Sequence, residues 1–143
     1  MNAVLSLHSI WAYVVLFVLL AVVLNAFSGL ISKRVFGIRD LRLSLFGLIV
    51  SHIQLLIGLV LYFISPKYQW WSAGMGEVMK NSTYRLYLVE HPFTNILAIV
   101  LITMGWSLHK KQVNNHKKFV RIALFYTLGL ALLLSRIPWE AWP

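Results

Sequence analysis

The sequence predicts an all-α fold, an integral membrane up-down-up-down four-helix bundle. Three observations predict it. The 143 residues are 59% hydrophobic and only 12% charged, and a soluble domain carries about twice that charge. Four apolar segments come close to or exceed the ~20 residues a helix needs to cross the hydrocarbon core. Two of the three connections between them are short, which sets consecutive helices side by side and antiparallel. Residues 1–143 therefore read as one transmembrane domain. The composition excludes a soluble enzyme, a nucleic-acid-binding module and a disordered tail.

The first span covers about residues 9–32, and Asn25 is its only strongly polar residue between Ile10 and Ile31. No Lys or Arg precedes it and Lys33-Arg34 follow it. It is expected to be a retained span and not a cleaved signal peptide. The second span, about 41–64, carries Ser44, Gly47, Ser51, Gln54 and Gly58 at steps of 3, 4, 3 and 4. That spacing keeps all five on one helix face. Apolar burial does not drive helix association in lipid, so small residues that let backbones approach mark a seam.

Residues 65–90 form a longer outer loop, with Pro66 and a Gly/Ser-rich stretch at 72–76. Asn81-Ser82-Thr83 offers an N-cap, so the third helix is expected to begin near 83 and kink at Pro92. The third span, about 91–109, puts Thr94, Ala98 and Gly105 on the face of His91. The fourth, about 119–137, has a small-residue ridge at Ala123, Thr127, Ala131 and Ser135.

Orientation follows from the basic residues. Nine of the 13 lie in the 33–42 and 110–121 regions, against one acid, Asp40. The other end holds Lys67, Lys80, Arg85 and Arg136 with Glu77, Glu90 and Glu140. The positive-inside rule makes the first end cytoplasmic and puts both termini outside. Trp11, Trp70, Trp71, Trp139 and Trp142 gather at the outer boundary, where a half-wet indole is most stable.

The chain has no Cys. That excludes disulfides, Cys-ligated iron–sulfur clusters and thioether-attached haem. It also lacks a carboxylate pair within a span, a nucleophile–base–acid set and an HExxH motif. Of the five His, His109 and His116 sit among loop lysines and read as solvated. His52 lies near mid-membrane, where an ionisable group is a functional candidate by default; the alternative is a neutral imidazole bonded to a carbonyl or a neighbouring polar side chain.

His8 and His91 end spans one and three at similar height. Those spans are diagonal in an up-down bundle, and two imidazoles facing each other across a bundle make a six-coordinate haem b site. His8 and His91 are the expected axial ligands, with His52 in reserve. Glu90 or Ser9 would accept from a second ring N–H. Arg136 and Arg85 would hold the propionates. Against this, terminal His residues also serve as interfacial anchors and terminal Arg residues snorkel. Asn25, Gln54, Asn95 and Thr103 read as interhelical hydrogen-bonding groups.

At His8-Ser9-Ile10-Trp11, Ser51-His52-Ile53-Gln54-Leu55-Leu56-Ile57-Gly58 and Glu90-His91-Pro92, and at its Pro138-Trp139 ending, the chain resembles small bacterial four-span proteins carrying the generic label "cytochrome B". The resemblance implies a multi-pass protein of the bacterial inner membrane, with haem b and an electron-transport association. It departs from large respiratory cytochromes b, which place two regularly spaced His pairs on two helices.

Three functions follow. One is a small haem b electron-transfer subunit of a respiratory or quinone-linked complex. Another is a cofactor-free integral subunit or assembly factor, docked on a larger membrane complex or forming a homo-oligomer. A small transporter or channel is the weakest, since no carboxylate lies in a span. The first two are an electron carrier and an accessory subunit rather than an enzyme. The partners expected are the lipid bilayer and membrane proteins, not nucleic acid.

The charge count makes a topology prediction. A phosphatase or fluorescent reporter fused after Pro143 should report a periplasmic location; activity confined to the cytoplasm overturns the orientation.

Overall fold

A computed structural model describes residues 2–142. It is 86% helical, with no strand among the described residues. α1 runs Asn2–Ile31 and α2 Ile38–Ile64. A 3-10 segment, Pro66–Ala73, leads to the short α3, Met75–Lys80. α4 runs Ser82–Lys110 and α5 Asn115–Ser135. The four long helices are each long and apolar enough to cross a membrane, so the chain is a multi-pass membrane protein.

The helices pack as a closed ring: α1 on α2, α2 on α4, α4 on α5 and α5 on α1. α1 therefore lies diagonal to α4, and α2 to α5. The basic end holds the α1–α2 and α4–α5 turns. The aromatic end holds the 3-10 segment, α3 and the tail after α5.

Small residues set the ring's diameter. A Cβ at Gly47 would lie 3.1 Å from Val22 of α1, so the second-span stripe does form a seam, with Ser44 and Ser51 fully buried in it. On α4, a Cβ at Gly105 would lie 2.6 Å from Phe125 of α5. The ridge expected on the fourth span is displaced. Ala131 and Ser135 are exposed, and the close contact is made at Gly129, where a Cβ would meet Ile102 at 2.6 Å and the Ala98 carbonyl at 3.1 Å. The buried face of α5 carries Phe119, Ile122, Tyr126 and Leu133. Those large side chains turn the helix so that the small residues at 131 and 135 look outward.

The core lies toward the basic end. On α1, buried residues start at Val15 and recur at 18, 19, 22, 23, 26 and 29, the spacing of one helical face. Tyr126 reaches across the bundle and donates to the Ser44 carbonyl at 2.7 Å, closing the α2–α5 diagonal there.

The α1–α2 turn is held by a buried carboxylate. Asp40 accepts from Arg34 at 2.7 and 2.9 Å, from Asn25 at 2.7 Å and from the Gly37 amide at 2.8 Å. The last bond caps the start of α2 and places negative charge on its positive dipole end. Lys33 turns the chain with φ 51°, a left-handed cap that costs a non-glycine residue roughly 1 kcal/mol. Arg34 then lies over Phe119, 5.0 Å from the ring centroid.

His109 is not solvated. α4 extends to Lys110, so His109 stays in the last turn, 1% exposed. Its ring is 5.3 Å from that of Phe36 and its Nδ1 is hydrogen-bonded to the Trp106 carbonyl. His116 is exposed, as its place among the lysines predicts.

Replacing Gly47 by Leu forces α2 off Val22 and Tyr126. Unfolding in detergent should show a loss of about 1–3 kcal/mol. Gly76→Ala, where nothing lies within 4 Å, is the control and should melt like the parent.

Candidate functional site

Toward the aromatic end the helices enclose a cavity of about 510 Å³. Its walls come from α1, α2, the 3-10 segment and α4, with Leu133 of α5, and the residues after α5 close its roof. They are mostly apolar, with a few polar groups converging on the interior. That is the usual make-up of a small-molecule site.

Pro92 shapes one wall. Its nitrogen has no hydrogen, so an unbroken α-helix would leave the Leu88 carbonyl without its backbone donor. The chain instead widens into one π-helical stretch, Leu86–Glu90, and the His91 amide bonds back to the Leu86 carbonyl. The freed Leu88 carbonyl accepts from the Tyr62 hydroxyl of α2 at 3.0 Å. Tyr62 in turn accepts from Trp71 Nε1 at 3.0 Å. Such single π stretches recur at functional sites because they re-aim the side chains next to them.

The helix start is where the sequence puts it. Asn81 accepts from the amides of Thr83 and Tyr84 and caps a helix beginning at Ser82. The expected loop over 65–90 is thus mostly helical: a 3-10 segment, one short helix and the first turns of α4.

His8 and His91 face each other across the α1–α4 diagonal. Their ring centroids are 6.2 Å apart and their planes are inclined at 77°. His8 fits against Gly58 of α2, where a Cβ would come within 3.2 Å of its ring. Gln54 of the same stripe donates to the His8 carbonyl at 3.0 Å, and Trp11 donates to the Val50 carbonyl at 3.0 Å. His91 Nδ1–H donates to the Arg136 carbonyl at 2.8 Å. The Asn95 amide lies 3.1 Å from His91 Nε2.

Glu90 is not a partner of either ring. It holds Arg85 at 2.7 Å and Arg136 at 3.4 Å, and Arg85 also donates to the Met79 carbonyl at 2.7 Å. Both expected propionate cations are therefore already engaged, and neither lines the cavity. Nor does His52. Its Nδ1–H donates to the Leu48 carbonyl at 2.8 Å. Its Nε2 stands 3.4 Å from the Thr103 hydroxyl, whose proton goes to the Ile99 carbonyl at 2.7 Å. These are the carbonyl and neighbouring polar side chain that the alternative reading expects around His52.

Polar groups without partners collect here. Among the described residues five buried side-chain atoms lack a hydrogen bond, and three of them, His8 Nδ1, Gln54 Oε1 and Trp142 Nε1, belong to residues lining this cavity. An unpaired buried donor or acceptor costs about 1–3 kcal/mol, so these three atoms are the groups of the cavity wall open to a water or ligand partner. Trp142 also packs on Tyr13, centroids 4.5 Å apart, and on Trp139 at 5.7 Å.

By sequence, Trp142 reads as a belt aromatic and Asn95 as an interhelical hydrogen-bonding group. Pro92 was the available signal for Tyr62, since a proline inside a membrane helix frees a carbonyl that some neighbour must satisfy. Nothing local signals Trp142 or the Arg136 carbonyl, whose places are set by the fold of the tail.

Among the described residues no group of three or more His, Cys, Asp or Glu converges on one point. The chain matches no protein-family model, no curated protein and no solved structure.

Tyr62→Phe deletes the donor to the Leu88 carbonyl and the acceptor for Trp71. Thermal or denaturant unfolding should show a loss of about 1–3 kcal/mol. An unchanged midpoint would mean that the Leu88 carbonyl finds another donor.

Proposed function

We propose that the cavity holds one haem b between His8 and His91, and that the chain is a small electron-transfer subunit of the bacterial inner membrane. The spacing of the two imidazoles carries the reading. An imidazole nitrogen binds a transition metal at about 2 Å, so two coaxial rings on one metal stand with centroids about 6 Å apart. The rings here are 6.2 Å apart, and no third protein ligand approaches among the described residues. That suits a macrocycle which brings its own equatorial nitrogens. It does not suit a bare metal ion.

The surroundings support the same reading. The bond from His91 Nδ1–H to the Arg136 carbonyl fixes the ring's tautomer and orientation, the usual arrangement for a ligating histidine. Gly58 leaves room for the ring of His8. The Asn95 amide would have to turn from His91 Nε2 for that nitrogen to hold a metal. Haem, when bound, supplies a one-electron couple; the chain's own groups orient the two rings and keep water from them. The Glu90-bound Arg85 and Arg136 stand outside the cavity as a rim of charge. The nine-to-four distribution of basic residues puts this end of the bundle on the periplasmic side, close to soluble or membrane-bound redox partners. The resemblance at His8, Ser51–Gly58 and Glu90–Pro92 points the same way.

Two observations favour the cofactor-free subunit instead. The Asn95 amide already stands 3.1 Å from His91 Nε2, the nitrogen a metal would need, and Glu90 already pairs with Arg85 and Arg136.

The reduced-minus-oxidised visible spectrum of protein purified from haem-replete cells separates the two. Wild type should show Soret and α bands at about one haem per chain. His8→Ala and His91→Ala should each abolish the six-coordinate spectrum, while His52→Ala keeps it. A colourless wild-type protein ends the haem reading and leaves the accessory subunit.

A further inference from the structure

The basic end carries nine Lys and Arg and a single acid whose capacity is used up. Among the described residues the ion pairs are Arg34–Asp40, Arg85–Glu90 and Arg136–Glu90. Only the first lies at this end. Asp40 also takes Asn25 and the Gly37 amide, so it has nothing left for the other eight cations.

These eight are not equivalent. Lys110 lies over Trp106 at 5.6 Å and Lys118 over Phe36 at 5.8 Å. Lys33, Arg39, Arg42, Lys111 and Lys117 are exposed. Arg121 is half-buried, and its Nε is buried with no hydrogen-bond partner. It stands at the α4–α5 seam, where its own carbonyl would lie 3.3 Å from a Cβ at Gly105. A desolvated guanidinium N–H needs an acceptor, and no free carboxylate exists at this end to provide one.

The surface running from Arg121 has a lipid's order of polarity. Lys117 precedes Arg121 by one helical turn on the same face, and the exposed Leu124 and Leu128 follow it along that face. Met104, next to the Gly105 contact on α4, is exposed as well. Cations at headgroup height above a lane of exposed aliphatic side chains match a phosphate ester above its acyl chains. A free anion would use only the upper part of that lane.

We propose that this α4–α5 face binds an anionic phospholipid, with Arg121 forked on the phosphate and Lys117 beside it. Arg is suited to the role because its fork donates two parallel bonds to phosphate oxygens. The site lies at the opposite end from the cavity and does not depend on what the cavity holds.

Native mass spectrometry and thermal unfolding of the full-length protein in mild detergent test it, with phosphatidylglycerol, phosphatidylcholine and inorganic phosphate as separate additives. Wild type should retain phosphatidylglycerol over phosphatidylcholine and melt higher with it, while inorganic phosphate has no effect. Arg121→Gln should weaken that retention about fivefold, the factor expected for one basic group near an anionic surface. Arg121→Lys should recover part of it. The lipid-free melting curve of each variant shows whether it folds. Lys80→Gln, exposed at the other end, should bind like wild type. Equal retention of the two lipids overturns the proposal. A loss as large in Arg39→Gln as in Arg121→Gln overturns the local site in favour of a diffuse field. Stabilisation by inorganic phosphate alone overturns the lipid as its ligand.

Discussion

The bundle hangs on one buried carboxylate. Asp40 is 3% exposed, and burying an ionised group costs several kcal/mol unless partners surround it. Here they do: a guanidinium, a carboxamide and a backbone amide. The consequence is geometric. Asn25, Arg34 and Gly37 come from α1, the turn and the start of α2, so satisfying Asp40 fixes how α2 leaves α1. Arg34 then rests on Phe119 of α5, and the Phe36 amide donates to Asn115 at 3.1 Å. Both chain reversals at the basic end are thereby joined. A Cβ at Gly29 would fall on the Phe119 ring, so α1 meets α5 there through that one ring, packed against the bare backbone of Gly29.

A ring of helices closed tightly at one end is free to open at the other. The core residues of α1 stop at Val15, and the space beyond them is the cavity. Its shape comes from backbone as much as from side chains. The π stretch before Pro92 passes its unmet hydrogen bond to Tyr62 and Trp71, which ties α2, the 3-10 segment and α4 together around the opening. The Asn81 cap and the Glu90–Arg85 pair then fix the first turns of α4. His91 holds its height because the helix is pinned on both sides of it.

Much of this was legible in the sequence for simple reasons. Span number follows from apolar length, and the Gly47 seam follows from spacing, because lipid leaves small residues at helical steps little other use. The Asn81 cap and the irregularity before Pro92 follow from local stereochemistry. Periodicity failed where volume overrode it: the bulk of Phe119, Tyr126 and Leu133 decided the face of α5, and the ridge at Ala131 and Ser135 was left outside. His109 departs from its expected place because charge in its neighbours says nothing about the ring of Phe36, which comes from a distant turn. Glu90 was assigned to a histidine because they adjoin in sequence, yet a salt bridge to two arginines satisfies a carboxylate better than one neutral ring. The pairing of His8 with His91 could be anticipated only as a consequence of topology, from equal depth on diagonal helices.

The carbonyl that orients His91 belongs to Arg136, at the end of the last long helix, and the roof over the cavity is Trp142 on Tyr13. A ribosome delivers these parts after every other wall of the cavity. During biosynthesis the three earlier helices can already sit in the bilayer while the chamber is still an open cleft and the ring of His91 can still rotate. Completion of the fourth span locks the ring and shuts the roof in one step. A molecule entering the chamber would have its widest path before that moment, and afterwards meets the tilted Tyr13–Trp142 pair at the roof.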